Sequence, residues 1–353
     1  MVEFGGWEMP VQYTSIVEEH HAVRKAVGLF DISHMGRLSF RGADAVNLLN
    51  HLLTCQVDNL VDGQIRYGLV CNAMGGIRDD VLVNRIDAKS FMLVVNASNR
   101  EKIVDWISQQ TGVTTANGGR FDVTIEDQTR DTAMLAVQGP AALSLVKNVT
   151  HVDLTTMRYY TGRAIEIDAQ PAFVSRTGYT GEDGFELIVP NAIAVKLWEA
   201  LIVSGQPLGL KPCGLGCRDT LRLEAAMPLY GHELSENVDP ITAGLGFAVK
   251  CEKADFIGRD ALLKIKDQPG RPVRVGLKLG SRRIAREHSE VFAGSDRIGE
   301  VSSGTFSPTL EQSIAMAYVM KPHSATGTSV EVDIRGKREP AEVVPLPFYK
   351  RSP

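Results

Sequence analysis

Apolar residues return with helical spacing in SIVEEHHAVRKAVGLFDIS, where Ile16, Val17, Val23 and Val27 fall on one side and predict a helix over 16–26. Glu18 and Glu19 lie in its early turns, and His20, Arg24 and Lys25 later, which suits the helix dipole; Gly28 stops it. The same spacing predicts helices in DAVNLLNHLLT (44–54), NREKIVDWISQQT (99–111), PAALSLVKNV (140–149), AVKLWEALIVSG (194–205) and CRDTLRLEAAM (217–227). Between them the pattern shortens. RYGLVCNAMGGIRDDVLVNRI and SFMLVVNAS read as a meander of three strands, and FDVTIEDQT and TAMLAVQGP as further strands. AFVSRTGYTGEDGFELIVP reads as strand, glycine-rich loop, strand. From Pro272 onward VRVGLKLG, RIGEVSSGTFSPTL, IAMAYVM, SVEVDIRG and REPAEVVPLP form a run of short strands with regular turn signals. The fold class is therefore α+β for the first 270 residues and all-β for the rest.

One strand carries a conflict. In GGIRDDVLV, Asp79 and Asp80 are adjacent, and successive strand side chains point to opposite faces. They cannot both reach water unless the strand leaves the core. The pattern predicts that one of the two looks inward and the other to the opposite side, and leaves open which.

Composition narrows the classes. The 353 residues are 44% hydrophobic and 23% charged, ordinary for a globular enzyme of two or three domains. A net charge of −4 offers no basic stripe for nucleic acid, and the cluster Arg282, Arg283, Arg286 reads as a solvated loop. Five cysteines without a CxxC pair give no disulfide framework; Cys213 and Cys217 share a helix side but do not complete a zinc site. No metal is expected. No apolar run is long enough to span a membrane, and MVEFGGWEMPVQY lacks the regions of a signal peptide. Phosphate-loop, dinucleotide, nucleophile-elbow and HExxH signatures are absent.

Certain polar residues need partners. In the strand after Gly184, Glu186 shares a face with Ile188 while Phe185, Leu187 and Val189 share the other. A carboxylate so placed faces water, pairs with a cation, or accepts two parallel N–H donors such as the edge of a pterin or purine. Arg218 and Arg222 stand one turn apart, either in a network with Asp219 and Glu224 or with one guanidinium reaching a ligand carboxylate. His34 in FDISHMG reads as a hydrogen-bonded core histidine, and Tyr67, Asn96 and Tyr179 are open between packing and contact.

Taken in order, FGGWEMPVQY, LFDISHMG, the glycine–aspartate turn, VVNASN, RTGYTGEDGFE, RDTLRLEAAMPLYGHEL, DFIGRDAL and PFYKR resemble the T-protein family of the glycine cleavage system, from Met1 to Arg351. The resemblance implies a three-domain cloverleaf around a central folate cavity. Residues 1–38 with 121–238 would form the first domain, 39–120 with 239–270 a ferredoxin-like second, and 271–353 a β-barrel. It implies an aminomethyltransferase that moves a methylene group from the aminomethyldihydrolipoyl arm of a lipoylated H-protein to tetrahydrofolate, releasing ammonia. Residue by residue it implies Asp80 as the catalytic carboxylate and Glu186 as the pterin-binding one. Arg218 belongs with the folate site, Met35, Tyr67, Asn96 and Tyr179 line the cavity, and Lys350 matches a cationic tail position. The cytoplasm is the expected location, or the mitochondrial matrix for a eukaryote. An alternative is a folate-binding protein of the same fold without transferase activity. The folate lobes of sarcosine and dimethylglycine oxidases are similar but come with a dinucleotide fingerprint. A folate-dependent iron–sulfur assembly protein needs a KGCYxGQE-type loop, where this chain has GCRDTLRLE.

Overall fold

The computed structural model describes residues 1–112, 121–253 and 255–351. Its three main sheets each carry one apolar core.

The first sheet runs Gly162–Ile167, Gln170–Ser175, Gly184–Pro190, Thr132–Gln138, Gly28–Asp31, Lys211–Pro212, antiparallel except for the last pair. Helices Ala142–Thr150 and Asn191–Gly205 cover one face, packing on Val137, Phe185, Leu187 and Val189. The second sheet runs Ile65–Cys71, Ile77–Arg85, Ser90–Val95, Gly36–Arg41, Thr124–Asp127, all antiparallel. Helices Ala45–Leu52 and Arg100–Thr111 back it, and the order is a ferredoxin-like split with one added strand. The six strands from Pro272 to Val344 close into a barrel.

The sheets cross between domains differently from the expected boundaries. Thr124–Asp127, expected in the first domain, pairs with Gly36–Arg41 in the second sheet, because the edge of that strand offers it a ladder. The two strands of the LFDISHMG region thus belong to different sheets, and the loop between them passes from one to the other. The end of the expected second-domain segment, 113–120, lies outside the described residues.

The first helix, Ile16–Lys25, forms as its spacing predicts, but its buried face mixes the expected Val23 with polar residues. Val17 is exposed, whereas Glu19, His20 and Arg24 are buried beside Val23. Glu19 accepts from the amides of Tyr13, Thr14 and Gly214, and His20 and Arg24 meet residues of the distant helix Leu215–Glu224. Polar partners supplied by another segment outweigh local amphipathicity. Strands without a clear periodic signal include Gly28–Asp31, Gly36–Arg41, Gly162–Ile167 and Glu290–Ala293.

Candidate active site

A cavity of about 780 Å³ lies among the three sheets, within the range that encloses a small organic ligand. It is lined by Met35, Tyr67, Asp80, Asn96, Tyr179, Glu186 and Arg218, the set expected from the sequence apart from Lys350.

The aspartate pair is separated as strand alternation requires. Gly75 turns the chain at φ +85°, and Gly76 is needed because a Cβ there would meet the Glu236 carbonyl at 1.8 Å. The strand that follows places Asp79 with Val81 and Val83 toward the helices, and Asp80 with Leu82 toward the cavity. Asp79 is fully buried and accepts from the Asn96 amide at 3.1 Å, Asn96 Nδ2 at 2.9 Å and Asn99 Nδ2 at 2.6 Å. Asp80 accepts from Tyr67 Oη at 3.1 Å and Asn96 Nδ2 at 2.8 Å. Asn96 therefore spans both carboxylates. Burial raises Asp80 above the ordinary aspartate range, against the pull of the Tyr67 and Asn96 bonds. Asp79 is raised too, by burial and then by Asp80.

Across the cavity, Glu186 lies mid-sheet between Ala136 and Ser175, and Thr177 Oγ1 donates a very short bond to it. Burial raises its carboxyl, opposed by Thr177 and Arg218. The glycine-rich loop that carries Tyr179 is tied down by buried Gln138, which donates to the Thr177 carbonyl at 3.0 Å and accepts from Thr180 Oγ1 at 2.9 Å. A Cβ on Gly178 would come within 2.0 Å of that amide. Tyr179 donates to the Pro228 carbonyl at 2.5 Å, and the Arg218 guanidinium lies 4.6 Å from its ring centroid. Arg218 and Arg222 part company. Arg222 turns to Asp219 and Glu233, each at 2.8 Å, while Glu224 goes to Arg24 at 2.8 Å, so the expected network with Asp219 and Glu224 holds only for Asp219.

Met35 is positioned by a residue that sequence reasoning passed over. Arg37 is fully buried and its guanidinium donates to the Ser33 and Met35 carbonyls on one side and to Thr129 and Thr132 on the other. It fastens the passage between the two sheets. His34, on that same loop, is buried against Phe4 as expected of a core residue but is not hydrogen-bonded through Nδ1, and it borders the cavity. Burial, with Arg218 and Arg37 nearby, pushes it down to about 3, so its imidazole is neutral at working pH.

Lys350 does not join the others. Tyr349 is held by its amide to the Glu224 carbonyl and lies under the Arg24 guanidinium, which leaves the next side chain of the extended tail pointing to solvent. Tyr160 and Phe247 do line the cavity and had no sequence signal, since each follows an irregular segment. Among the described residues no group of His, Cys, Asp and Glu is placed to hold a metal, and no helix is long and apolar enough to cross a membrane.

Known proteins resemble this chain over nearly its full length. A model described as the GCVT N-terminal domain matches residues 1–253, and the glycine cleavage T-protein C-terminal barrel domain matches residues 273–350. This chain belongs to the glycine cleavage T-protein family. It is 48% identical over 358 residues to an aminomethyltransferase of Streptomyces avermitilis, covering 100% of this chain and 94% of the relative. It is 47% identical over 357 residues to one of Symbiobacterium thermophilum, with the same coverage. The crystal structure of glycine cleavage system aminomethyltransferase T from Bartonella henselae superposes with a TM-score of 0.90 at 34% identity, over 99% of this chain and 94% of that one. The two family matches together span both the α+β part and the barrel.

Proposed function

We propose that this chain is the aminomethyltransferase of a glycine cleavage system, with tetrahydrofolate bound in the central cavity and a lipoylated H-protein as donor. The observation that carries the reading is Asp80, a half-buried carboxylate on the cavity wall, held by Tyr67 and Asn96, with Glu186 and Arg218 in the same cavity.

The chemistry asks for these groups. A methylene carbon bearing sulfur and an amine must pass to folate N5 and then close onto N10. The carbon–sulfur and carbon–nitrogen bonds break, two carbon–nitrogen bonds to folate form, and the two folate N–H protons leave with the thiol and ammonia. The carbon in transit is iminium-like. Asp80 stabilises that positive charge and accepts a proton from folate, while the low polarity that raises its carboxyl strengthens both effects. Glu186 offers its two oxygens to the parallel donors of the pterin, with Thr177 fixing one of them. Tyr179 and Arg218 supply a flat wall, and Met35 an apolar one, so that two large reactants meet at one carbon.

One assay tests the reading. Aminomethylated H-protein is mixed with the protein with and without tetrahydrofolate, and ammonia is measured. Folate-dependent ammonia release is expected. Folate binding without ammonia release would leave only the binding-protein alternative.

A further inference from the structure

The bonds that hold Glu186 come from behind the cavity wall. Thr177 Oγ1 donates to Glu186 Oε2, and Ser175 Oγ lies 2.7 Å from Thr177 Oγ1. Ser175 stands opposite Glu186 on the neighbouring strand, and its Oγ is 3.5 Å from the Glu186 carbonyl. Gln138 fixes the Thr177 main chain by donating to its carbonyl at 3.0 Å. Ser175, Thr177 and Gln138 are all buried, so these contacts are made out of water. Glu186 itself lines the cavity, and among the described residues its Oε1 has no hydrogen-bond partner.

Each hydroxyl carries a single proton, which gives the chain Ser175–Thr177–Glu186 a direction. With Glu186 ionised, Ser175 donates to Thr177 and Thr177 donates to the carboxylate, and every proton has a close acceptor. With Glu186 protonated at Oε2 the direction reverses. The carboxyl then donates to Thr177 and Thr177 to Ser175. Among the described residues this leaves the Ser175 proton only the Glu186 carbonyl, 3.5 Å away and outside the usual hydroxyl range. With the proton on Oε1 the direction stays, but Thr177 meets a neutral oxygen and the charge-assisted part of its bond is lost. Either way a buried hydroxyl is worse paired, so the chain favours the ionised carboxylate. Burial works against that form, and Arg218 works for it along with Thr177. The other titratable side chains facing Glu186, Tyr160 and Tyr159, are pushed up by burial and stay uncharged.

We propose that Ser175 and Thr177 are positioning residues that commit Glu186 to accepting with both oxygens and so decide which ligand edge the cavity selects. This rests on the folate reading above. Each carboxylate oxygen has more than one lone-pair site, so Oε2 still accepts from a ligand while it holds the Thr177 bond. An ionised Glu186 complements a heterocycle edge with two adjacent N–H donors. Protonated on Oε1, it would offer one donor and one acceptor, which complements a different edge. The two hydroxyls thus set selectivity without touching the ligand.

The test measures dissociation constants of tetrahydrofolate and of its 2-desamino analogue, which lacks one of the two donors, between pH ~5 and ~8. The full chain is compared with Thr177→Val, Ser175→Ala and Thr177→Ser. The unaltered protein is expected to prefer tetrahydrofolate about tenfold. Thr177→Val keeps the shape, but that preference is expected to fall about threefold. Its binding of tetrahydrofolate also weakens at a higher pH as pH drops, because the carboxyl has lost a donor to its charged form. Ser175→Ala shifts both readouts the same way by less, and Thr177→Ser keeps them near those of the unaltered protein. The preference is a ratio within one protein, so a partly unfolded fraction cancels, and Ser175→Ala carries the test if Thr177→Val does not fold. An unchanged preference and pH dependence in Thr177→Val and Ser175→Ala overturns the positioning role and leaves the folate reading in place. Equal affinity for both ligands in the unaltered chain overturns the pairing of Glu186 with the donor edge, and the proposal with it; no binding of either ligand overturns the folate reading itself.

Discussion

In the proposed reaction Asp80 is the catalytic carboxylate, and its bonding decides how it behaves with pH. Asp80→Asn keeps the shape but loses the charge and the proton acceptor. Turnover is expected to fall by roughly 10²-fold or more, with tetrahydrofolate affinity within a few-fold. Single-turnover transfer with a parallel binding titration measures both, and unchanged turnover would remove Asp80 from the mechanism. The ionised carboxylate is the working form, and its value lies above the free aspartate value of 3.8. Activity therefore falls as pH drops through that raised value. Tyr67 donates to the charged form and so holds the value down. Tyr67→Phe should raise it further and move the acid limb of the pH–rate profile to higher pH; a limb that stays put or moves to lower pH would contradict the bond's role. Glu186→Gln replaces one acceptor oxygen with a donor facing donors. Its cost should appear as folate affinity, about 2–3 kcal/mol, in a titration.

Among elements, the passage from the strand Ile77–Arg85 to the helix Arg100–Thr111 depends on Asp79. Its three acceptor bonds seat the short turn Ala97–Asn99 from which that helix starts, and the same turn delivers Asn96 to Asp80. Asp79→Ala removes the acceptors while leaving buried amide donors behind. About 2 kcal/mol of stability should be lost in chemical denaturation, and turnover should fall as Asn96 loses its seat. Stability loss without any change in turnover would separate the turn from the site. The meander itself was legible as three strands bounded by turns. The turn Ala97–Asn99 was not, because its geometry is set by a buried carboxylate from another strand.

For the whole molecule, the helix Leu215–Glu224 is one of the places where the barrel meets the α+β part, through buried Arg222 and Glu224. Arg222 reaches Ser303 at 2.9 Å and Glu233 at 2.8 Å, and Ser302 of the same barrel strand donates to Glu233 at 2.6 Å. Glu224 accepts from Arg24 at 2.8 Å, from Ser307 at 2.5 Å and from the Thr309 amide at 3.1 Å. Burial alone would raise Glu224, but bonds from His20, Arg24 and Ser307 hold it down at about 2, from an ordinary 4.5. A lowered carboxylate stabilises the fold above its unfolded value and loses that contribution as pH falls from 4.5 toward 2. Glu224→Gln is expected to cost about 3 kcal/mol at neutral pH, with the difference from the unaltered protein shrinking below pH ~4 in denaturant titrations. A difference independent of pH would mean that ionic pairing is not its source.

What the chain determines by itself is the kind of each strongly periodic segment, the all-β texture after Pro272, the opposition of Asp79 and Asp80, and an ordered set of motifs that points to a family. Alternation and helical spacing are local, so they say which side chains share a face. They do not say what that face meets. The tertiary structure decided that Glu19, His20 and Arg24 lie inside while Val17 lies outside, and that Arg222 leaves the cavity to Arg218. It also placed Lys350 outside the site. The buried ones among these turn on partners far away along the chain, such as Glu224 for Arg24 and Ser303 for Arg222, because a buried charge is held wherever its counterpart is brought to it.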